Sequence, residues 1–319
     1  MTRSRLLLTL LGLNVAACGS SKDDKPANQE PPPDPAVSSF LDVFHASRYS
    51  QAESAAKVLD DAAIASPKDG PVSFVRFLAH LWHLNEYGRD QNPDPAVLQA
   101  EAMALLGLIT TAKANNPTDA RVDCFLGIQQ VNVGRAIMNP DLVGEGFKTI
   151  DASVSAWPQF SLFCKALAYD SLPVTDPDFN KAVDAMYQTF EACFGEKIDR
   201  NNPDISKYLS LATDQGLNRA CWNDWLAPHN GEGTYLYIGD LLVKAGNVAA
   251  AKIAYADAKL VKEYAQWPYK YLLEDRLGTD LDAKAALYRD ADPKNDPPIG
   301  GGSDNHACTF CHSASAEEK

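Results

Sequence analysis

The chain has 319 residues, of which 45% are hydrophobic and 22% are charged. This apolar fraction excludes an intrinsically disordered chain, and the length suits one or two domains. The formal net charge of −13 argues against a nucleic-acid-binding protein and against binding to anionic lipid by charge. No run of 18 or more apolar residues is present, so the sequence predicts no membrane-spanning helix in the mature chain.

Residues 1–17 have the features of an export signal. Arg3 and Arg5 precede a short apolar segment at residues 6–13. The following Val15-Ala16-Ala17-Cys18 resembles the lipobox of bacterial lipoproteins, although that family usually has Leu in place of Val15. The resemblance implies an acylated Cys18 and, because no Asp follows it directly, an outer-membrane location facing the periplasm or the cell surface. An ordinary cleaved signal peptide with an incidental cysteine is the alternative.

Residues 18–37 join this predicted anchor to the rest of the chain. They are poor in apolar side chains and contain Pro31-Pro32-Pro33-Asp34-Pro35. Such a composition predicts a semi-extended spacer that holds the folded part away from the membrane. A docking site for a proline-recognition domain is the sharper alternative.

Residues 38–290 predict an all-α domain. Apolar residues recur at three-and-four spacing and are interrupted by Pro, Gly and Asn. One predicted helix starts at Pro95 and ends at Asn115-Asn116-Pro117. Further helices are predicted at 118–138, 141–156, 159–170, 178–194, 206–214, 217–226, 232–245, 248–264, 268–276 and 281–289.

The clearest internal pattern begins near Tyr235. Ile238-Gly239, Gly246, Ala251, Tyr255 and Ala258 occupy the positions at which tetratricopeptide repeats place Leu-Gly, a turn Gly, a small residue, an aromatic residue and a second Ala. A partial second match begins at Leu126-Gly127 and Gly134. The resemblance implies an α-solenoid of antiparallel helix pairs that presents a surface to a partner. A non-repetitive helical bundle is the alternative.

Four of the seven cysteines lie in the helical body. In an exported protein they predict two disulfides, with three possible pairings that the sequence leaves open. Some of them could instead be buried free thiols. The four are Cys124, Cys164, Cys193 and Cys221.

Residues 291–319 carry the one chemical motif that we identify. A Pro/Gly-rich linker leads to Cys308-Thr309-Phe310-Cys311-His312, which resembles the CxxCH motif that attaches haem in c-type cytochromes. The resemblance implies one covalent haem c, with thioethers from Cys308 and Cys311 and with His312 as the proximal iron ligand. The alternatives are a structural or redox-active cysteine pair, or a metal site formed by these three residues with His306.

The tail departs from the small cytochrome c domain, because only seven residues follow His312 and none is a distal ligand. His229, in a loop near Trp222 and Trp225, is the preferred distal candidate. His306 lies too close to Cys308 in sequence to reach the opposite haem face without strain. Other candidates in the body are His80, His83, Met103, Met138 and Met186.

We expect the linker to be a flexible coil that could reach back to the body. The haem could then dock in an aromatic groove near Trp222, Trp225 and Trp267, or swing between partners on a tether.

Three hypotheses for function follow. The first is a membrane-anchored mono-haem cytochrome that transfers electrons to a redox protein of the envelope, with the helical body as its partner-binding scaffold. The second is an interaction module for assembly or transport, in which the tail cysteines are structural or redox-active. The third is an enzyme, such as a peroxidase with an open sixth haem position. We favour it least, because we identify no catalytic triad or carboxylate pair and the six histidines are scattered along the sequence.

Overall fold

The structure, a computed structural model, describes residues 34–90, 92–203, 206, 209, 216–221, 227–290, 292–301 and 306–315. Over this part of the chain it contains α-helices and no β-strand, which confirms the all-α class. The α-helices are α1 (Pro35–His45), α2 (Ala52–Ala65), α3 (Gly70–Asn85), α4 (Pro95–Asn115), α5 (Ala120–Ala136), α6 (Pro140–Ala156), α7 (Pro158–Asp170), α8 (Asn180–Phe194), α9 (Asn230–Ala245), α10 (Val248–Ala258), α11 (Lys270–Gly278), α12 (Leu281–Leu287) and α13 (Thr309–His312).

Helix α1 begins three residues before the predicted start of the helical domain at residue 38. Asp34 caps it, because its carboxylate accepts a hydrogen bond of 2.8 Å from the Ala36 N–H. Pro35 then occupies the first helical position, where its missing N–H costs nothing. The last proline of the predicted spacer therefore belongs to the helical body. Cys18 and the rest of the spacer up to residue 33 lie outside the described residues.

Most of the predicted helix 206–214 and the second half of 217–226 lie outside the described residues. The first half of the second contains a 3-10 helix, Gly216–Ala220, in place of the expected α-helix. The structure describes neither Trp222 nor Trp225.

Two turns of the same kind join α2 to α3 and α4 to α5. Each turn has a proline two residues before an N-capping aspartate, Asp69 or Asp119, which accepts a hydrogen bond from a backbone N–H in the next helix. The two turns lie side by side, since the Asn116 side chain donates to the Gly70 carbonyl over 3.0 Å. Helices α2 to α5 are thus stacked as successive pairs.

Glycines allow the tightest helix pairs to approach. A Cβ on Gly127 of α5 would lie 2.5 Å from a side-chain carbon of Ile150 and 2.7 Å from the carbonyl of Gly146, both in α6. In α9, a Cβ on Gly239 would overlap the Tyr255 ring of α10. Gly127 and Gly239, two of the residues that suggested a tetratricopeptide pattern, therefore allow close approach within these helix pairs.

Helix α4 is long and apolar enough to cross a membrane, judged by length and composition alone. It nevertheless packs against α3 and α5 as part of the body, with Leu105, Ile109 and Ala112 buried. Its opposite face is exposed and includes Val97 and Met103. Helix α4 therefore packs against the body through one face only.

The earliest helices meet later ones along a contact region that we call the seam. Ser47, just after α1, has its hydroxyl 2.6 Å from the Tyr269 hydroxyl, just before α11. Helix α13 packs against both α1 and α9 in the same region. The seam is formed by residues 44–47, Glu86, residues 229–233 and residues 267–269.

Candidate functional site

Residues 308–312 form one helical turn. The His312 N–H donates to the Cys308 carbonyl over 3.2 Å, so the turn closes across the whole motif. Residues three and four apart share a helix face, which places Cys308, Cys311 and His312 together. These three are half-buried, whereas Thr309 and Phe310 point into the body and are buried. The residues expected to bind haem are therefore less buried as a whole, although the Cys308 thiol is buried and the Cys311 sulfur packs against Gly233 of α9.

Glu86 holds the start of this turn. One of its oxygens, Oε1, accepts hydrogen bonds of 2.8 Å from the N–H groups of both Cys308 and Thr309, and one of 3.1 Å from the Thr309 hydroxyl. Its other oxygen lies 2.8 Å from the Arg89 guanidinium. The Glu86 side chain has no solvent exposure, so these contacts replace its hydration shell.

The C-terminal helices hold the middle of the turn. The Trp267 indole donates to the Phe310 carbonyl over 2.6 Å, and the His229 backbone N–H donates to the Cys311 carbonyl over 3.0 Å. Phe310 itself is part of the largest apolar core. A Cβ on Gly233 of α9 would overlap the Cys311 sulfur, so only glycine allows this close approach.

Helix α1 holds the end of the turn. The Ala314 N–H donates to the His45 carbonyl over 2.9 Å, and the Ser313 hydroxyl donates to the Phe44 carbonyl over 3.2 Å. The His312 ring lies against Phe44, with 5.2 Å between the ring centroids. The motif therefore bridges the two sides of the seam.

The linker before the motif differs from the flexible coil expected from its composition. The Gly300 N–H donates to the Asp240 carboxylate over 2.8 Å, and Arg276 donates to the Gly300 carbonyl over 3.1 Å. Tyr288 also donates to the Pro297 carbonyl over 2.7 Å. Asp240 is buried, and burial raises the pKa of its carboxyl group despite the nearby Arg276. Residues 292–301 and 306–315 are thus bound to the body, because glycine and proline prevent regular structure without preventing such contacts.

His229, the preferred distal candidate, lies beside the motif. Its side chain is buried, and its Nδ1 is 3.1 Å from a carboxylate oxygen of Glu232, which is also buried. A carboxylate at one ring nitrogen fixes the orientation of the ring and is typical of metal-binding histidines. The structure therefore places His229 next to Cys311 through its backbone and orients its ring through Glu232.

The other proposed histidine pair lies at a different site. His80 and His83 of α3 share Glu101 of α4, which is 2.9 Å from His83 Nδ1 and 3.4 Å from His80 Nδ1. His80 also lies 3.2 Å from Asp60 of α2. Hydrogen bonding to Glu101 raises the pKa of both histidines, although burial opposes the shift. These two histidines connect α3 to α2 and α4 through contacts with the carboxylates of Asp60 and Glu101.

The candidate methionines have contrasting environments. Met103 and Met138 are exposed on α4 and after α5, and Met186 is fully buried in the main core. None of the three is among the residues that contact the motif in the seam as described above. His306, in contrast, lies against Tyr269 with 4.8 Å between the ring centroids.

The surroundings of the Cys308 thiol can be compared with those expected for a redox-active cysteine pair. Burial and the nearby Glu86 carboxylate raise the pKa of the Cys308 thiol. Reactive cysteines usually have a lowered pKa in electropositive surroundings, so Cys308 lacks the setting of a redox-active thiol. Burial and Arg89 lower the pKa of His306 to about 4, which keeps its ring neutral at pH 7.

The structure selects one pairing for the four body cysteines. Cys124 of α5 is bonded to Cys164 of α7, with Cα atoms 5.7 Å apart. Cys193 of α8 is bonded to Cys221, with Cα atoms 5.8 Å apart. The first disulfide connects two helices, the second joins α8 to the residue after the 3-10 turn, and Cys308 and Cys311 lie outside both pairs.

The donor set of the motif fits haem attachment. Two sulfur atoms and an imidazole lie on one helical turn, and the residues that carry them are half-buried. A cavity of about 130 Å³ lies elsewhere, between α2, α3 and α4, and includes no residue of the motif. Across the described ranges, no group of three or more His, Cys, Asp or Glu side chains is arranged to hold a bare metal ion.

Sequence reasoning missed several residues of this site, among them Phe44, Glu86, Glu232 and Gly233. Glu86 carries no motif, and its only signal is an acidic residue directly after an apolar helix. Phe44 looks like any core residue of α1. Comparison with known proteins adds no further residues: no protein-family model, curated protein or solved structure matches the chain.

Proposed function

We propose that this protein is a membrane-anchored mono-haem c-type cytochrome that transfers electrons in the bacterial envelope. One observation carries the proposal: Cys308, Cys311 and His312 share one face of a helical turn that the body holds in place. Haem c, when bound, supplies one-electron redox chemistry. Cys308 and Cys311 would hold it by thioethers, and His312 would provide the proximal nitrogen.

His229 is the distal ligand that we propose. It is supported by its position beside Cys311 and by the contact of its Nδ1 with Glu232, which leaves Nε2 as the ligating nitrogen. A buried, oriented imidazole costs little entropy when it binds. Two histidine ligands would give a six-coordinate iron, which suits an electron carrier better than a peroxidase.

The remaining parts of the proposal concern location and partner. Acylation of Cys18 would anchor the chain to the outer membrane, and the spacer would set its distance from the lipid. Helices stacked in pairs support a tetratricopeptide-like scaffold, which would bind the redox partner. The net charge of −13 favours a basic or neutral partner, with binding that weakens as salt increases.

The test is to produce the full chain, with its signal, in a bacterium that has the cytochrome c maturation machinery. We expect one added haem mass on the peptide that contains Cys308 and Cys311, a Soret band, and a low-spin ferric spectrum. The double variant Cys308→Ser, Cys311→Ser is the matched control and should lack both the mass and the band. A colourless wild-type protein of unmodified mass would refute the proposal.

One observation favours the interaction-module alternative. Thr309 and Phe310 are buried like core residues, so the tail also has a structural role that needs no haem. Under this alternative the motif cysteines serve folding, and the helical body alone binds a partner. The two hypotheses separate in the same experiment, because an interaction module would carry neither the added haem mass nor the Soret band.

A further inference from the structure

Glu86 occupies an unusual position for a carboxylate. It directly follows α3, and its side chain has no solvent exposure, whereas isolated buried carboxylates are strongly disfavoured. Arg89, with a side chain only 8% exposed, supplies one contact. The other donors come from Cys308 and Thr309, which are more than 220 residues away in the chain. Most of the donors that satisfy this carboxylate therefore belong to the motif.

These contacts act at the point that orients the turn. The N–H groups of Cys308 and Thr309 have no helical partner within the turn, and a single carboxylate oxygen accepts both. His312 follows one turn later, and its N–H donates to the Cys308 carbonyl. A fixed Cys308 therefore fixes the direction of the His312 side chain beside Phe44.

We propose that Glu86 is the positioning residue for the haem-bearing turn, fixing His312 and both cysteines against the seam. This inference rests on the proposed function, because positioning matters only if the turn carries haem. It replaces the picture of a swinging tether with a turn of fixed orientation. The electron would then leave through one defined region of the body, the part of the seam at which the turn is held.

The first arm of the test uses the haem-free full chain. We compare Glu86→Gln and Glu86→Ala with wild type by hydrogen–deuterium exchange of peptides that cover residues 306–315. Loss of hydrogen bonds to a buried charge should speed exchange there roughly tenfold or more, with the larger effect in Glu86→Ala. Glu145→Gln, an exposed carboxylate on α6, is the matched control and should leave exchange unchanged. Peptides from α5 and α6 report on global stability.

The second arm uses the haem-loaded chain. Glu86→Ala should shift the midpoint potential and the ligand-sensitive bands of the iron, and Glu86→Gln should shift them less. Unchanged exchange at 306–315 would overturn the proposal, as would equal acceleration in α5 and α6, which indicates general destabilisation. Faster local exchange with unaltered spectra would also overturn it, because Glu86 would then dock the tail without positioning the iron. If no haem is attached, the proposed function fails, while the first arm still tests the contact.

Discussion

Removal of the Phe310 side chain tests whether the tail is part of the folded body. Phe310 is 6% exposed and packs in the same apolar core as α9, α10 and α11. Phe→Ala changes in cores cost about 3–5 kcal/mol, from lost burial and from the cavity left behind. The tail can also detach locally, which limits the loss to the free energy of docking. We therefore expect Phe310→Ala to lower the free energy of unfolding by about 3 kcal/mol.

The measurement is urea unfolding of the haem-free chain, followed by circular dichroism with the disulfides intact. Leu260→Ala is the control, because Leu260 is 53% exposed and such changes usually stay within about 0.5 kcal/mol. A second readout is exchange of the Trp267 indole N–H, which donates to the Phe310 carbonyl and should lose protection in the variant. A loss below about 1 kcal/mol with an unchanged indole signal would mean that the tail is not docked as described.

Two further predictions concern the body. First, Gly127→Ala should destabilise the chain by about 1–3 kcal/mol, because the added methyl group collides with α6. The control is Gly107→Ala, whose methyl group meets nothing within 4 Å and should stabilise the chain by up to about 1 kcal/mol. Equal effects of the two variants in thermal unfolding would contradict this packing. Second, His80 and His83 have raised pKa values, so their stabilising effect is complete below pH 6.5 and is lost as pH rises through the folded-state values. Burial would raise the pKa of Glu101, but hydrogen bonds to the two histidines lower it to about 2, so its effect is lost only as pH falls from 4.5 toward 2. Stability measured against pH should therefore decline above pH 6.5 less steeply in a double Gln variant of the two histidines, and parallel curves would refute the assignment.

Local signals account for the part of the fold that the sequence predicted. Proline after Asp or Asn marks the start of α1, α4 and α6, because the side chain caps the helix and proline fits its first position. The recurrence of apolar residues at three-and-four spacing then predicts the all-α class. The start of α1 was placed three residues late because Pro35 also reads as the end of a proline-rich spacer.

Contacts between distant residues account for what the sequence did not predict. Glu86 meets the motif across 222 residues, and no local pattern marks that partnership. The pairing of Cys193 with Cys221 likewise depends on how α8 packs, which spacing alone leaves open. The linker composition indicated irregular backbone correctly, but it carried no information about the buried Asp240 that binds Gly300.

The seam gives the molecule a built-in order of assembly. Phe44 and Glu86 precede the residues that cover them by 269 and 222 positions in the chain. Such distant contacts form only after the chain between them has been ordered, because the entropy of closing the long loop must be overcome first. Until then the acidic side chain stays hydrated and the neighbouring aromatic surface stays open. Docking of residues 306–315 covers both, so we expect it to be a late step in folding.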